Sequence, residues 1–109
     1  MSAAFSPDGL RIAWERETQQ PGGATVAELW VMDAGGANRR AVVVNATENR
    51  SPAWTPDGQA LVYASRVTGN WEIFRVDIVT GVTTNLSRHP FADQVFARGN
   101  EVVEHVLFV

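Results

Sequence analysis

Apolar and polar residues alternate along this chain in short runs with a period of two, and two of the runs are apolar on both sides. In "ALVYA" (60–64) Leu61 and Tyr63 point one way and Val62 and Ala64 the other; in "ELWVM" (28–32) Leu29 and Val31 lie opposite Trp30 and Met32. Strands of this kind need cover on both faces, whereas a hairpin sheet with one wet face carries polar residues at every second position. "RRAVVV" (39–44) and "VTTNLS" (82–87) mix polar and β-branched residues instead, as strands at a rim do.

The punctuation between the runs repeats as well. Ser6-Pro7-Asp8-Gly9 follows Phe5, and Thr55-Pro56-Asp57-Gly58 follows Trp54. Proline presets φ at the first central position of a turn, aspartate bonds its own backbone, and glycine accepts the left-handed conformation that closes a bulged hairpin. Each phrase therefore predicts a strand-to-strand turn. Their flanks match too: "LRIAWERE" is answered by "QALVYASR", and "AELWVMDAGG" (27–36) by "WEIFRVDIVTG" (71–81). Asp8 and Asp57 are 49 positions apart and Asp33 and Asp77 are 44 apart, so the first copy holds five extra residues. They fall in "TQQPGGATVA", a Pro/Gly-rich stretch read as a lengthened loop between strands.

A period in the forties built from short β-runs is the signature of a propeller blade, four strands per repeat. The predicted fold is all-β, a partial β-propeller in a single domain over 1–109. Two four-stranded antiparallel blades are expected, at about 1–45 and about 50–88, followed by a C-terminal hairpin or strand. Residues 89–109 read as a degenerate third-blade segment: in "VFARGNEVVEHVLFV" (95–109) Phe96 takes the aromatic place, but Arg98, Gly99 and Asn100 stand where the turn phrase is expected.

Bulk properties narrow the function. A chain of 109 residues with a formal net charge of -3 and a pI near 5.2 lacks the basic surface that nucleic acid or an anionic membrane requires. The absence of cysteine excludes a disulfide framework, a thiolate nucleophile and a thiolate metal site. "MSAAFSPDGL" has no basic region followed by an apolar stretch, so no signal peptide is read in this chain, and no run is long enough to insert in a membrane as a helix.

Candidate chemistry is sparse. His89 and His105 are 16 positions apart without a second ligand at a metal-like spacing. No G-x-S-x-G elbow is present, and Ser65 and Ser87 have no histidine–acid arrangement nearby in sequence. Asp8 and Asp57 are accounted for by their turns, and the glycine pairs at 22–23 and 35–36 precede no helix that could cradle a phosphate. No catalytic, cofactor-binding or metal-binding residue is therefore expected. Asn45-Ala46-Thr47 and Asn85-Leu86-Ser87 fit a glycosylation sequon, which matters only in a secreted eukaryotic protein. The tryptophans at 14, 30, 54 and 71 are expected at equivalent strand positions, in the core between blades.

An aromatic residue, [Ser/Thr]-Pro-Asp-Gly and an apolar strand, followed by "ELWVMDAGGANRR" or "EIFRVDIVTG", resembles the WD-like repeat of TolB-type β-propellers. "SPAWTPDGQALVYASRVTGNWEIFRVD" is a nearly complete copy, and the likeness covers residues 3 to about 88. Complete members of such families have roughly six to eight blades, so this chain resembles a part of one. The resemblance implies a non-catalytic scaffold that binds a protein or peptide through loops at one end of the strands. Arg50, Arg66 and Asn70 in "RVTGN", and Arg88 and His89 in "SRHP", are the expected contact residues. The resemblance also implies the periplasm if a signal is missing from this chain, and otherwise the cytoplasm fits. Related propellers gate prolyl-oligopeptidase-type serine peptidases, so a piece of such a hydrolase is the alternative, and a truncated relic without a role of its own a third reading. Because two blades leave apolar sheet faces open and the chain ends on "VVEHVLFV", self-association into a homo-oligomer is expected, as a two-fold dimer or a closed ring.

Overall fold

The two repeated phrases fold alike, hydrogen bond for hydrogen bond. In the first, the Gly9 amide donates to the Ser6 carbonyl (2.9 Å), the Ser6 hydroxyl donates to Asp8 Oδ1 (2.6 Å), and the same oxygen accepts from the Leu10 amide (2.9 Å). In the second, Gly58, Thr55, Asp57 and Gln59 make the equivalent bonds at 2.9, 2.6 and 2.9 Å. Gly9 and Gly58 sit at φ of 74° and 71°, where a Cβ is strained. Gly58→Val is therefore expected to destabilise by at least about 1 kcal/mol, read as a lower melting temperature, because a β-branched residue strongly disfavours positive φ. The Cβ itself would meet only Arg11 Nη2 at 3.7 Å and Pro7 Cδ at 4.0 Å, so the loss measures backbone conformation and not a clash.

A computed structural model describes residues 3–88. The turns link eight strands: β1 (Ala3–Phe5), β2 (Arg11–Gln19), β3 (Thr25–Asp33), β4 (Arg40–Val43), β5 (Asn49–Trp54), β6 (Ala60–Ser65), β7 (Glu72–Asp77) and β8 (Thr83–Asn85). They form two four-stranded antiparallel meanders, β1-β2-β3-β4 and β5-β6-β7-β8. A 3-10 helix, Leu86–Arg88, follows β8. This is the all-β architecture of two propeller blades.

Alternation decides how the sheets meet. Ala13, Leu29, Val31 and Val43 of the first sheet pack against Trp54, Leu61, Tyr63, Phe74 and Val76 of the second, and Tyr63 stacks on Phe74 with ring centroids 5.9 Å apart. Each large side chain buried there contributes about 1.5–3 kcal/mol, which makes the seam the main source of stability. Two arginines of the first sheet close its rim: Arg11 Nη2 donates to the Gly58 carbonyl (2.9 Å) and Arg40 Nη2 to the Ile78 carbonyl (2.7 Å). The second sheet is buried on both sides, since Ala60, Val62 and Ile73 on its far face are also closed to solvent.

Two expectations need correction. The extra residues of the first copy do not form a lengthened loop. They extend the hairpin: Glu17 pairs with Ala27, Thr18 with Val26 and Gln19 with Thr25, and only Gln20–Ala24 turns, through bonds between Gln20 and Ala24 (2.7 Å) and between Gly23 and Gln20 (3.0 Å). The β-branched residues flanking Pro21-Gly22-Gly23 favour pairing, and the glycines turn the chain tightly. The tryptophans do not all join the core either. Trp14 and Trp30 share the alternation phase of Ile12 and Met32, opposite to Ala13, Leu29 and Val31, so they pair on the outer face of the first sheet with centroids 6.1 Å apart. Trp71 precedes β7 outside any strand and is 42% exposed. The third-blade segment, with His89 and His105, lies outside the described residues.

Candidate functional site

Strand β5 starts, β6 ends and β7 starts at one end of the second sheet, where Asn49 pairs with Ser65 and Ser65 with Glu72. That end collects several of the expected contact residues. Arg50 lies inside β5 and not ahead of it. Arg66 and Asn70 bracket the β6–β7 turn, in which the Gly69 amide donates to the Arg66 carbonyl (2.9 Å). Arg88 ends the 3-10 helix, which is tied to the same end because the Ile73 amide donates to the Ser87 hydroxyl.

Arg50 is held by three carboxylates from two segments. Its Nη1 meets Glu15 Oε1 at 3.1 Å and Glu17 Oε2 at 3.0 Å, both on β2, while Nη2 meets Glu48 Oε2 at 2.9 Å in the link between the sheets. The Glu48 bond, with those to Glu17 and Glu15, drives the arginine's pKa above its already high ordinary value. The second oxygen of Glu15 accepts from the Ser51 amide (2.8 Å). Ser51 stands at φ 57°, a left-handed conformation unusual for a residue with a Cβ, at a break in register between Arg50 and Ala53. Buried Asn49 completes the join, donating to the Ala27 carbonyl (2.9 Å) and to Asn45 Oδ1 (2.7 Å). Arg50 is thus a clasp between the sheets, with its charge compensated.

Arg66 is placed differently. Its guanidinium lies 5.6 Å from the centre of the Trp71 ring and 3.7 Å from Glu48, on the wall of a cleft of about 360 Å³ shared with Thr25, Thr47 and Gly69. Arginine over the face of an indole is an attractive arrangement that leaves donors pointing outward. Thr68 on the same turn donates to Glu72.

The opposite end holds the aspartate turns. Hydrogen bonds from Ser6 and the Leu10 amide lower the Asp8 pKa below its ordinary value, Thr55 and the Gln59 amide do so for Asp57, and the Thr80 and Val79 amides for Asp77. Each carboxylate is occupied by its own turn. Among the described residues no group of three or more His, Asp or Glu side chains could hold a metal ion, and no helix is long and apolar enough to cross a membrane.

Glu15, Glu17 and Glu48 were not singled out by sequence reasoning, and Trp71 was expected in the core between blades, whereas it is 42% exposed. One signal was available for Glu15: it falls in the alternation phase of Ala13, the phase that faces the other sheet. A carboxylate on a core-facing position calls for a cation, and Arg50 supplies it.

Curated proteins similar to this chain are Tol-Pal system proteins TolB. The one from Xanthomonas oryzae pv. oryzae is 43% identical over 60 residues, which is 55% of this chain and 14% of the relative. That of Legionella pneumophila is 34% identical over 80 residues, 73% of this chain and 19% of the relative. Among solved structures, TolB from Acinetobacter baumannii aligns with a TM-score of 0.58 at 28% identity, over 77% of this chain and 20% of that one. A puromycin hydrolase mutant complexed with PGG aligns with a TM-score of 0.59 at 29% identity, over 80% of this chain and 14% of that one. No family model matches. The chain therefore spans less than a fifth of these curated relatives, and the part it spans is two blades of a TolB-type β-propeller.

Proposed function

We propose that these two blades act as part of a non-catalytic, protein-binding assembly scaffold, and that the partner meets the end carrying Arg66 and Trp71. The observation that carries the reading is the half-exposed Trp71 ring backed by the Arg66 guanidinium beside an open cleft. Tryptophan and arginine dominate the residues that hold protein interfaces together, and a large indole has little other reason to face water. Relatives named as Tol-Pal system proteins support a protein of such a system as the partner, and with it a periplasmic location. Self-association belongs to the same reading, since the outer face of the first blade presents Phe5 at 65% exposure beside Ile12 and the Trp14–Trp30 pair.

The likeness to a puromycin hydrolase supports the alternative, a propeller portion of a prolyl-oligopeptidase-like serine hydrolase. One calorimetric series separates the two. The purified chain is titrated with purified Tol-Pal components of Xanthomonas oryzae and, separately, assayed for hydrolysis of peptide substrates. Binding to one component, weakened at least about tenfold by Trp71→Ala and unchanged by Val79→Ser at the opposite end, is the expected result. Absence of binding to every component, or binding indifferent to Trp71, overturns the proposal, and peptide turnover replaces it with the alternative.

A further inference from the structure

The seam between the two blades is not filled along its whole length. Between β4 on one side and β6 and β7 on the other runs a groove of about 350 Å³, whose apolar walls include Val42, Val43, Val44, Val67 and Phe74. That volume lies within the range of small-molecule sites. Both walls belong to this chain, and a further propeller blade packs on an outer sheet face, so none would enter this seam.

One wall is shaped by a break in the β3–β4 ladder. Ala41 pairs with Trp30 and Val43 with Leu29, which leaves Val42 as an extra residue and lays both valines against the seam. Bulges re-aim side chains in this way. The corresponding β7–β8 ladder runs without a break.

Tyr63 supplies the chemistry. It is only 2% exposed, with its ring stacked on Phe74, yet its hydroxyl has no hydrogen-bond partner among the described residues, where a buried phenol ordinarily has one. Among those residues no side-chain oxygen is both sealed from solvent and unpaired, so this one reaches the groove that Tyr63 lines. Burial pushes the Tyr63 pKa up to about 12, which makes the hydroxyl an uncharged donor at neutral pH. No charged side chain lines the groove. A carboxylate or an ammonium ion would lose its water there without gaining a counter-charge. The Asn45 amide at the edge is already engaged, since its carbonyl accepts from Asn49 at 2.7 Å.

We infer that this groove binds a small, uncharged, largely apolar molecule that carries a hydrogen-bond acceptor such as a carbonyl. The acceptor meets the Tyr63 hydroxyl, and the apolar body lies between Phe74 and the valines of β4. This site is independent of the partner reading at the Arg66–Trp71 end.

Fluorescence titration of the full chain with the neutral naphthyl ketone dye Prodan tests it, beside the Tyr63→Phe and Thr83→Trp variants. Thr83 is an exposed β8 residue on the lip of the groove, so an indole there plugs the site at little cost to folding. Saturable binding with blue-shifted emission is expected for wild type, weakened at least about threefold in Tyr63→Phe and lost in Thr83→Trp. The melting temperature of Tyr63→Phe without dye should equal or exceed that of wild type, because the hydroxyl it removes has no partner in the fold. A clear drop in that temperature would mean that the hydroxyl serves the structure, and overturns the inference. Absence of binding, or binding indifferent to both variants, overturns it as well. Binding lost in Thr83→Trp but unchanged in Tyr63→Phe overturns the assigned ligand class in favour of a purely apolar slot, such as one that takes a side chain of a partner protein.

Discussion

Trp54→Ala is expected to lower the stability of the fold by about 3–5 kcal/mol, a large part of the about 5–15 kcal/mol that a domain of ordinary stability holds. The indole is buried in the seam at the end of β5, packed with Leu61 of the same sheet and Ala4 of the other. Its Nε1 donates to the Ala4 carbonyl at 2.9 Å, fixing the two innermost strands to one another, and the Arg11 guanidinium lies 5.0 Å from the ring centre. Alanine would remove the apolar contact, the strand-to-strand bond and the platform for Arg11 together. Trp54→Phe separates these contributions: it keeps most of the packing and loses the bond, for about 1–2 kcal/mol. Urea unfolding followed by circular dichroism measures both. Equal midpoints for wild type and Trp54→Ala would mean that the seam is not held at this position.

The reach of sequence reasoning followed the range of the interactions. The Pro-Asp-Gly turns were legible because everything they need lies within six residues: Ser6 or Thr55 caps the aspartate, and the glycine takes positive φ. The double-sided pattern of β6 was legible because burial on both faces leaves no polar position in phase. Composition misled where two rules competed. "PGG" signals a loop, but the Thr, Val and Gln residues beside it prefer to pair, and the hairpin lengthened around a tight turn. Trp14 and Trp30 were assigned to the core between blades because indoles are large and apolar; which face of a sheet meets its neighbour is set by the whole register, not by the residue. The clasp was illegible for a different reason. Arg50 and Glu15 are 35 positions apart, and nothing local marks them as a pair until the sheets are stacked. Reading Arg50 as an available contact residue followed from its place near a strand end, whereas the structure puts it in the strand among three carboxylates.

Glu15→Ala is expected to destabilise by about 2–3 kcal/mol, somewhat less than the loss typical of a fully buried ion pair because Arg50 retains some contact with solvent. The Glu15 side chain is only 5% exposed, against 53% for Glu17, although both reach the same Arg50 nitrogen, at 3.1 and 3.0 Å. Burial separates their worth: Glu17→Ala removes a pair that water screens, and should change stability by less than about 1 kcal/mol. Glu15 has a second task that Glu17 lacks. Its other oxygen holds the Ser51 amide at 2.8 Å, where the backbone sits at φ 57° and the β5 ladder breaks register. A non-glycine residue in that conformation is strained by about 1–2 kcal/mol, and the strain persists only while neighbours impose it. With Glu15 gone, β5 is free to relax toward a regular strand, shifting Arg50 and loosening its hold on Glu48. Ser51→Gly should then recover part of the loss in the Glu15→Ala background, because glycine takes positive φ without strain. Thermal unfolding of the three variants distinguishes the cases: similar losses for Glu15→Ala and Glu17→Ala would show that the clasp is an ordinary surface ion pair, and no recovery from Ser51→Gly would mean that Glu15 acts on Arg50 alone.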